Sequence, residues 1–414
     1  MKILFKPQTE WLPPEEFKDL SSYDEIAIDL ETKDPNLKTM GSGSVTGQAK
    51  IVGVALAVEG WSAYYPIAHE GGGNMDRKKV MDYFRTILNY PSKKIFHNAM
   101  YDVCFIRAEG LKINGTIVDT MIAGSLVNEN RFRYDLGSLG RDYVGIGKNE
   151  AVLKETADHW GIDHKAEMYK LPAMYVGEYA EQDAELTLKL WQEMKKQMYH
   201  EDVEDIFKLE TELFPCLVDM RFLGVRVDTE AAYTLKQQLI EEEKECLQKI
   251  KTETSVDVQI WAARSIEKVF QKLNLPYDLT AKTHSPSFTK NFLQNHPHPL
   301  VKQIARAREI NKSHTTFIDT ILKHQHKGRI HAEINQIRSD SGGTVTGRFS
   351  YNNPNLQQIP ARNKELGPRI RSLFIPEEGC QWGCFDYSQQ EPRLVTHYAS
   401  LDGLYGVDEV LDAY

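Results

Sequence analysis

Two acidic side chains in the segment DEIAIDLET, Asp29 and Glu31, are spaced so that they can share a divalent cation. The segment alternates apolar and polar residues, which predicts a β-strand whose successive side chains point to opposite faces. Ile26, Ile28 and Leu30 would lie on one face, and the two carboxylates on the other. Neighbouring carboxylates repel unless a cation holds them, although an acidic pair by itself is more often a solvated surface feature.

Two further pairs of polar side chains are each four residues apart. Asn98 and Asp102 occur in FHNAMYDVCFI, and Tyr179 and Asp183 occur in VGEYAEQDAELTLKLW. Residues at i and i+4 lie on one face of a helix, so each pair can point at one site. Each pair is a weak signal alone, because Tyr and Asp at this spacing occur on many exposed helices. His97 is more simply interpreted as a strand-end histidine bonded to the backbone.

The order D-x-E, N-x3-D and Y-x3-D, over about 155 residues of α/β pattern, resembles the DEDD exonuclease superfamily in its tyrosine variant. The resemblance implies a ribonuclease H-like 3′–5′ exonuclease domain over residues 1–195, with a mixed sheet and surrounding helices. Phosphodiester hydrolysis needs an activated water and neutralised phosphate oxygens, which two divalent cations supply. Carboxylate oxygens suit such cations, so we expect two Mg²⁺ or Mn²⁺ ions at this site.

The resemblance also implies a role for each acidic residue. Asp29, Glu31 and Asp183 would hold the first ion, and Asp29 would bridge to the second. Asp102 would act on the second ion through water. Tyr179 would orient the attacking water.

A second set of motifs occurs between residues 346 and 393. T-G-R-x-S, P-N-L-Q-x-I-P and D-Y-S-Q-x-E-x-R follow one another in that order. This order resembles the family A DNA polymerases, particularly those of bacteriophage type. LETELFPCLVDMRFLGVRVD resembles the entry to that family's thumb. The resemblance implies a helical thumb over residues 196–328 and a partial α+β palm with polymerase motif A over residues 329–414.

The polymerase motifs imply further site residues. Arg348 can donate hydrogen bonds to the minor-groove acceptors that every correct base pair displays. Asp386 follows the apolar pattern WGCF, which predicts a strand, and would hold catalytic Mg²⁺ only in a completed polymerase site. Glu391 would exclude ribonucleotides, and Pro392 beside it predicts a position in the first turn of a helix. The expected DNA contacts are Asn98 in the exonuclease cleft and Gln357, Arg362, Arg369, Arg371 and Arg393 in the polymerase part.

Two parts of the family pattern are missing after Asp386. The R-x3-K-x6-7-Y-G finger helix and the H-D-E strand with the second metal carboxylate do not fit into the 28 residues that follow. The final VDEVLDAY predicts a helix with an uncovered apolar stripe. We therefore expect a complete exonuclease and a polymerase that works only with a separate C-terminal chain. A split gene and a truncated reading frame both explain this pattern. The stripe consists of Val407, Val410, Leu411 and Tyr414.

Two alternative functions differ in class. The first is a free-standing 3′–5′ exonuclease that trims DNA or RNA. The T-G-R-x-S motif argues against it, because trimming needs no sensor of the primer base pair. The second is a non-catalytic DNA-binding subunit. The four acids argue against it, because without catalysis nothing would favour acids in a cleft that meets phosphate.

The composition is that of a globular protein of two or three domains, with 414 residues of which 41% are hydrophobic and 26% charged. The net charge is −9, but residues 286–375 contain 14 Lys and Arg against 5 Asp and Glu, which predicts contact with phosphates there. No apolar run approaches the roughly 20 residues that span a bilayer. With no secretory cleavage site at the N-terminus, we expect the protein in the cytoplasm of a bacterial host cell, without a membrane partner.

The five cysteines show no metal-binding spacing. Their spacing predicts reduced, buried thiols rather than a zinc site. They are Cys104, Cys216, Cys246, Cys380 and Cys384.

Overall fold

A computed structural model describes residues 9–340 and 342–413. The chain forms two units, Met1–Phe374 and Ile375–Tyr414, and each is described by itself. Among the described helices, none combines the length and the apolar character needed to cross a bilayer. Tyr414 of the predicted apolar stripe lies outside the described residues.

The first unit begins with a five-stranded sheet whose strand order is β3-β2-β1-β4-β5. The central strand β1 is antiparallel to β2 and parallel to β4, so the sheet is mixed and the predicted α/β class is confirmed. The strands are β1 (Glu25–Lys33), β2 (Lys50–Val58), β3 (Trp61–Pro66), β4 (Lys93–Phe96) and β5 (Ile117–Asp119).

Seven helices accompany this sheet. A π-helical turn at Gly140–Val144 follows the fifth of them, and 3₁₀ turns at Met168–Lys170 and Ala173–Tyr175 precede the seventh. The helices are α1 (Leu37–Met40), α2 (Arg77–Asn89), α3 (Ala99–Ala108), α4 (Thr120–Val127), α5 (Leu136–Leu139), α6 (Ala151–Trp160) and α7 (Gly177–His200).

Both faces of β1 are covered. The predicted apolar face, with Ile26, Ile28 and Leu30, packs into one core with residues of α2 and α3. The opposite face packs against α7 through small side chains that are fully buried. Because alanines have no side chain beyond Cβ, the helix and the sheet approach closely. These alanines are Ala27, Ala55 and Ala57 in the sheet and Ala180 and Ala184 in α7.

A helical region follows α7. The long charged helix predicted from Thr229 to about Thr254 is confirmed with these bounds, and Asp228 caps it by accepting the Ala231 N–H. A π-helical turn at Ser313–Ile318 precedes the last helix. The elements are α8 (Glu204–Leu223), β6 (Val225–Arg226), α9 (Thr229–Thr254), α10 (Ala263–Lys272), β7 (Asp278–Leu279), β8 (Pro286–Ser287), α11 (Lys290–Asn295), α12 (Pro299–Lys312), α13 (Asp319–His324), β9 (Gln325–His326) and β10 (Arg329–Ile330).

The first unit ends with a β-hairpin and a short helix. Leu366 and Ile370 belong to the same buried core as residues of α9, α10 and α12. The domain boundaries at residues 195 and 328 stay predictions. The elements are β11 (Glu333–Asn335), β12 (Ser350–Asn352), a 3₁₀ turn (Leu356–Gln358) and α14 (Leu366–Arg371).

The second unit contains α15 (Gln390–Leu401) and α16 (Val407–Ala413). Glu391 lies in the first turn of α15, which confirms the helix start expected from Pro392. The strand predicted from WGCF was wrong: residues 380–387 have no regular secondary structure and are exposed. A strand is stabilised by hydrogen bonds to a neighbouring strand, and no described strand pairs with this segment.

The prediction of buried thiols is confirmed for Cys104 and Cys246 but wrong for Cys216, Cys380 and Cys384, which are exposed. Cys380 and Cys384 belong to the segment that does not form a strand. Without the strand, no core encloses them.

Candidate active site

The predicted exonuclease residues come from three elements that meet at β1. Asp29 and Glu31 are on β1, Asp102 is in the first turn of α3, and Tyr179 and Asp183 are on α7. Electrostatic coupling joins Asp29 to Asp183, to Glu31 and to Asp102. Asp29 therefore lies within electrostatic range of each of the other three acids, and Tyr179 lies near Asp29, Glu31 and Asp183. We call Asp29, Glu31, Asp102 and Asp183 the carboxylate cluster.

The strand that carries Glu31 is irregular next to it. Glu31 lies opposite Gly53 of β2, and the register shifts between Glu31 and Thr32. Such a bulge re-aims side chains and is frequent beside active sites. A Cβ at Gly53 would lie 2.0 Å from the Tyr64 hydroxyl oxygen. Only glycine therefore lets the Tyr64 ring lie against the backbone opposite Glu31.

The Tyr64 ring is held by a buried histidine. His69 Nδ1 lies 3.0 Å from the Leu171 carbonyl oxygen, and His69 Nε2 lies 2.7 Å from the Tyr64 hydroxyl. Burial lowers the pKa of His69 to about 4, so the ring is neutral. Because a carbonyl only accepts, Nδ1 donates to Leu171 and Nε2 accepts from Tyr64. The sequence analysis missed this pair of residues, in which His69 holds the Tyr64 ring beside Gly53.

Asp102 is positioned through the start of α3. Its Oδ1 accepts the Leu30 N–H at 3.1 Å. The buried Asp119 carboxylate accepts the N–H of Asn98 at 2.9 Å and of Ala99 at 2.8 Å, which fixes the first turn of the helix. Sequence reasoning missed Asp119, although an aspartate that ends the strand IVD directly before a helix is a recognisable N-cap signal.

Asn98 and His97 lie at the rim of the site. Asn98 lines a cavity of about 400 Å³ together with Tyr101, Asn335 and Asn352. His97 Nδ1 lies 2.9 Å from the Thr120 hydroxyl oxygen. Besides this side-chain contact, a backbone hydrogen bond with Tyr134 acts on the ring, as expected for a strand-end histidine. Burial, and then the nearby Lys148, lower the pKa of His97 to about 3.

A lysine that the sequence analysis missed stands inside the cluster. Lys148 Nζ donates to Asp183 Oδ2 at 2.5 Å and to the Tyr179 hydroxyl at 3.1 Å. It also lies 5.2 Å from the centre of the Tyr179 ring. Its only sequence signal is GIGKNE, a lysine in a loop beside Gly145 and Gly147, which resembles many surface loops.

The pKa of every acid in the cluster is raised, with burial as the largest cause. Burial first, and then Asp183, raise the pKa of Asp29 to about 7. Burial and the Asp29 charge raise the pKa values of Glu31 and Asp102 well above the ordinary value. Burial also raises the pKa of Asp183, against the opposing effect of Lys148. For Lys148 burial acts to lower the pKa, but the attraction of Asp183 and Asp29 outweighs it and the pKa is raised.

The donor set fits a divalent metal ion. Lys148 interacts electrostatically with Asp29, Glu31 and Asp183, and Asp183 Oδ1 is buried without a hydrogen-bond partner. Donors that are all oxygen suit Mg²⁺ or Mn²⁺. Within residues 9–340 and 342–413, no three His, Cys, Asp or Glu side chains converge closely enough to hold one ion as arranged.

Three residues of the predicted polymerase part are exposed in the first unit, two on loops and Gln357 in the 3₁₀ turn. Arg348 lies between β11 and β12, and its carbonyl oxygen accepts the Thr344 hydroxyl at 2.8 Å. Gln357 Nε2 donates to the Phe349 carbonyl at 3.0 Å. Arg362 is exposed. Their exposure is compatible with DNA contact, and their roles stay predictions.

Two other predicted DNA contacts have partners within the first unit. Arg369 Nη1 lies 2.8 Å from Glu242 Oε1. Arg371 Nε donates to the Pro360 carbonyl at 3.0 Å. To bind a phosphate, Arg369 would have to bind Glu242 and the phosphate together or release Glu242, and Arg371 would have to do the same with the Pro360 carbonyl.

The remaining predicted residues belong to the second unit. Asp386, Glu391 and Arg393 are all exposed. Asp386 lies in the segment without regular structure, and Glu391 and Arg393 lie in α15. The roles of these three residues stay predictions.

Comparison with known proteins places this geometry in a family. Residues 6–199 match the family model for a 3'-5' exonuclease, and residues 229–407 match the model for DNA polymerase family A. The chain belongs to the family A DNA polymerases that carry a 3′–5′ exonuclease domain.

Relatives with a similar sequence include several phage polymerases. A DNA-directed DNA polymerase of Pseudomonas phage M6 is 33% identical, over 95% of this chain and 61% of the relative. The DNA polymerase DpoZ of Salmonella phage PMBT28 is 30% identical, over 96% of this chain and 64% of the relative. The chain thus spans about three fifths of the length of these relatives.

A solved structure shares the fold. The POL domain of Pol1 from M. smegmatis, in complex with DNA primer-template and dNTP, superposes with a TM-score of 0.70 at 20% sequence identity. The match covers 95% of this chain and 62% of that one. The likeness supports the arrangement of an α/β sheet domain followed by a helical region.

Proposed function

We propose that this chain is the exonuclease-bearing portion of a DNA-directed DNA polymerase that acts in DNA replication. Its carboxylate cluster would hydrolyse the phosphodiester at the 3′ end of DNA. The observation that carries the proposal is the cluster of four acids with a single lysine and an unpartnered buried oxygen. Water adds to the phosphorus atom of the terminal nucleotide, and the bond from that phosphorus to the 3′ oxygen of the penultimate nucleotide breaks. A nucleoside 5′-monophosphate leaves, and the shortened strand keeps a 3′ hydroxyl.

The residues of the site have separate tasks in this proposal. Asp29, Glu31, Asp102 and Asp183 would hold two Mg²⁺ or Mn²⁺ ions, which when bound activate water and neutralise phosphate oxygens. Burial, and then the Asp183 charge, raise the pKa of Tyr179 well above its ordinary value. The Tyr179 hydroxyl therefore stays protonated at neutral pH. It can orient the attacking water by a hydrogen bond.

The proposed substrates are primer-template DNA and single-stranded 3′ ends. The cavity beside Asn98 is large enough to admit part of a splayed strand, and the basic stretch over residues 286–375 matches a duplex backbone. Binding through phosphates is strongly salt dependent and has little sequence preference. Selective removal of unpaired 3′ ends would make the activity a proofreading one. The phage relatives support the cytoplasm of a bacterial host as its location.

We propose that polymerisation involves a separate C-terminal chain. About two fifths of the length of the Pseudomonas phage M6 relative lies outside the part that this chain matches. In the completed site Asp386 would hold Mg²⁺, Glu391 would exclude ribonucleotides and Arg348 would test the primer base pair.

The decisive experiment uses a primer-template with a 3′ mismatch, Mg²⁺ and all four deoxynucleotides, with products resolved by length. We expect this chain to shorten the primer without extending it. The Asp29→Ala/Glu31→Ala variant should be folded and inactive, whereas Asp24→Ala, at an exposed position next to β1, should keep the wild-type rate. Degradation of DNA by the double variant would refute the site. Extension by this chain alone would refute the need for a second chain.

A further inference from the structure

The Lys148 ammonium is bound to a carboxylate that the proposed metal site would need. Its ammonium contacts Asp183 Oδ2 at 2.5 Å and the Tyr179 hydroxyl at 3.1 Å, and these are two of the proposed exonuclease residues. Asp183 is 2% exposed and the Lys148 side chain 22% exposed. The attraction between the two charges is therefore weakly screened by water.

The Asp183 carboxylate cannot bind the Lys148 ammonium and a divalent metal ion equally well at the same time. A divalent ion bound to Asp183 would lie next to the ammonium, and like charges in a buried site repel strongly. The backbone beside Lys148 is fixed to α7, because the Asn149 N–H donates to Gln182 Oε1 at 2.8 Å. The four-carbon stem of the lysine is flexible. Rotation of the side chain alone can therefore withdraw the ammonium from Asp183.

We propose that Lys148 is a displaceable counter-ion: it neutralises Asp183 in the metal-free protein and leaves Asp183 when a divalent ion binds. Lys148 thereby sets the metal concentration at which the carboxylate cluster is loaded. It is a positioning residue, since it acts through Asp183. The inference rests on the proposed function, because it assumes that the cluster binds metal.

The test measures Mn²⁺ binding to the full chain by calorimetry. Lys148→Ala and Lys148→Gln remove the competing charge, so Mn²⁺ should bind about tenfold more tightly, in line with the strength of a charged hydrogen bond. Lys148→Arg keeps the charge and should bind Mn²⁺ like the wild type. Lys189→Ala is the matched control, because Lys189 is an exposed lysine of α7 that pairs with the exposed Glu185.

A second readout follows thermal unfolding. In chelator the midpoint of Lys148→Ala should lie below that of the wild type, because Asp183 loses its counter-ion. Saturating Mn²⁺ should raise the midpoint of Lys148→Ala by more than it raises that of the wild type. Lys148→Gln preserves most of the side-chain volume, so it carries the test if the alanine variant does not fold.

The outcomes separate this inference from the proposed function. Equal or weaker Mn²⁺ binding by Lys148→Gln would overturn the counter-ion role. If the wild type nevertheless binds Mn²⁺ and Asp183→Asn does not, the proposed metal site is still supported. Absence of Mn²⁺ binding in the wild type and in all Lys148 variants would overturn both.

Discussion

The carboxyl group of Asp29 should make the metal-free protein sensitive to pH. Burial, and then Asp183, raise its pKa from 3.8 to about 7 in the folded chain. A group whose pKa is higher in the folded than in the unfolded state stabilises the fold fully below the unfolded value. That stabilisation is lost as the pH rises through the folded value. The Asp29 contribution to the free energy of unfolding therefore falls between about pH 4 and about pH 7.

The size of the effect follows from the pKa difference. Each pKa unit corresponds to about 1.4 kcal/mol. A pKa raised from 3.8 to about 7 therefore makes ionisation of Asp29 about 4 kcal/mol less favourable in the folded chain than in the unfolded chain. Asp29 keeps partial access to solvent, so about 4 kcal/mol is an upper bound. Asp29→Asn has the same shape and cannot ionise. Its stability advantage over the wild type should grow by up to about 3 kcal/mol between pH 5 and pH 8.

Urea unfolding followed by tryptophan fluorescence, with a chelator present, measures this difference. Asp24→Asn is the control, because Asp24 is exposed next to the same strand. In excess Mg²⁺ the advantage of Asp29→Asn should shrink or reverse, because the variant lacks a proposed metal ligand. A stability difference that stays constant from pH 5 to pH 8 in chelator would refute the reasoning.

Two further substitutions test the packing around the site. Glu333→Ala leaves Arg221, which is 4% exposed, without its carboxylate partner, so it should lower the free energy of unfolding in urea by about 3 kcal/mol. The control Glu241→Ala, in an exposed pair, should lower it by under about 0.5 kcal/mol. Equal losses of stability in the two variants would contradict this expectation. Gly53→Ala places a Cβ against the Tyr64 ring, so it should lower the free energy of unfolding by about 3 kcal/mol and weaken Mn²⁺ binding. An unchanged urea midpoint for this variant would show that the strands move apart easily.

Local patterns in the sequence were enough to predict the strand and the helix that carry most of the proposed site residues. The alternation of DEIAIDLET placed Asp29 and Glu31 on one face of a strand, and the i, i+4 spacing placed Tyr179 and Asp183 on one face of a helix. These patterns have the period of the element that contains them, so a short segment suffices to detect them. The helix at Thr229–Thr254 was predictable for the same reason.

Which elements meet, and which side chains lie between them, depends on tertiary packing. The packing of α7 on β1, the clamp of Asp119 on α3 and the position of Lys148 beside Asp183 join residues 20 or more positions apart. No local period encodes such contacts. The strand expected at WGCF failed for the same reason. An apolar run becomes a strand only when another strand accepts its hydrogen bonds, and that depends on residues distant in the chain.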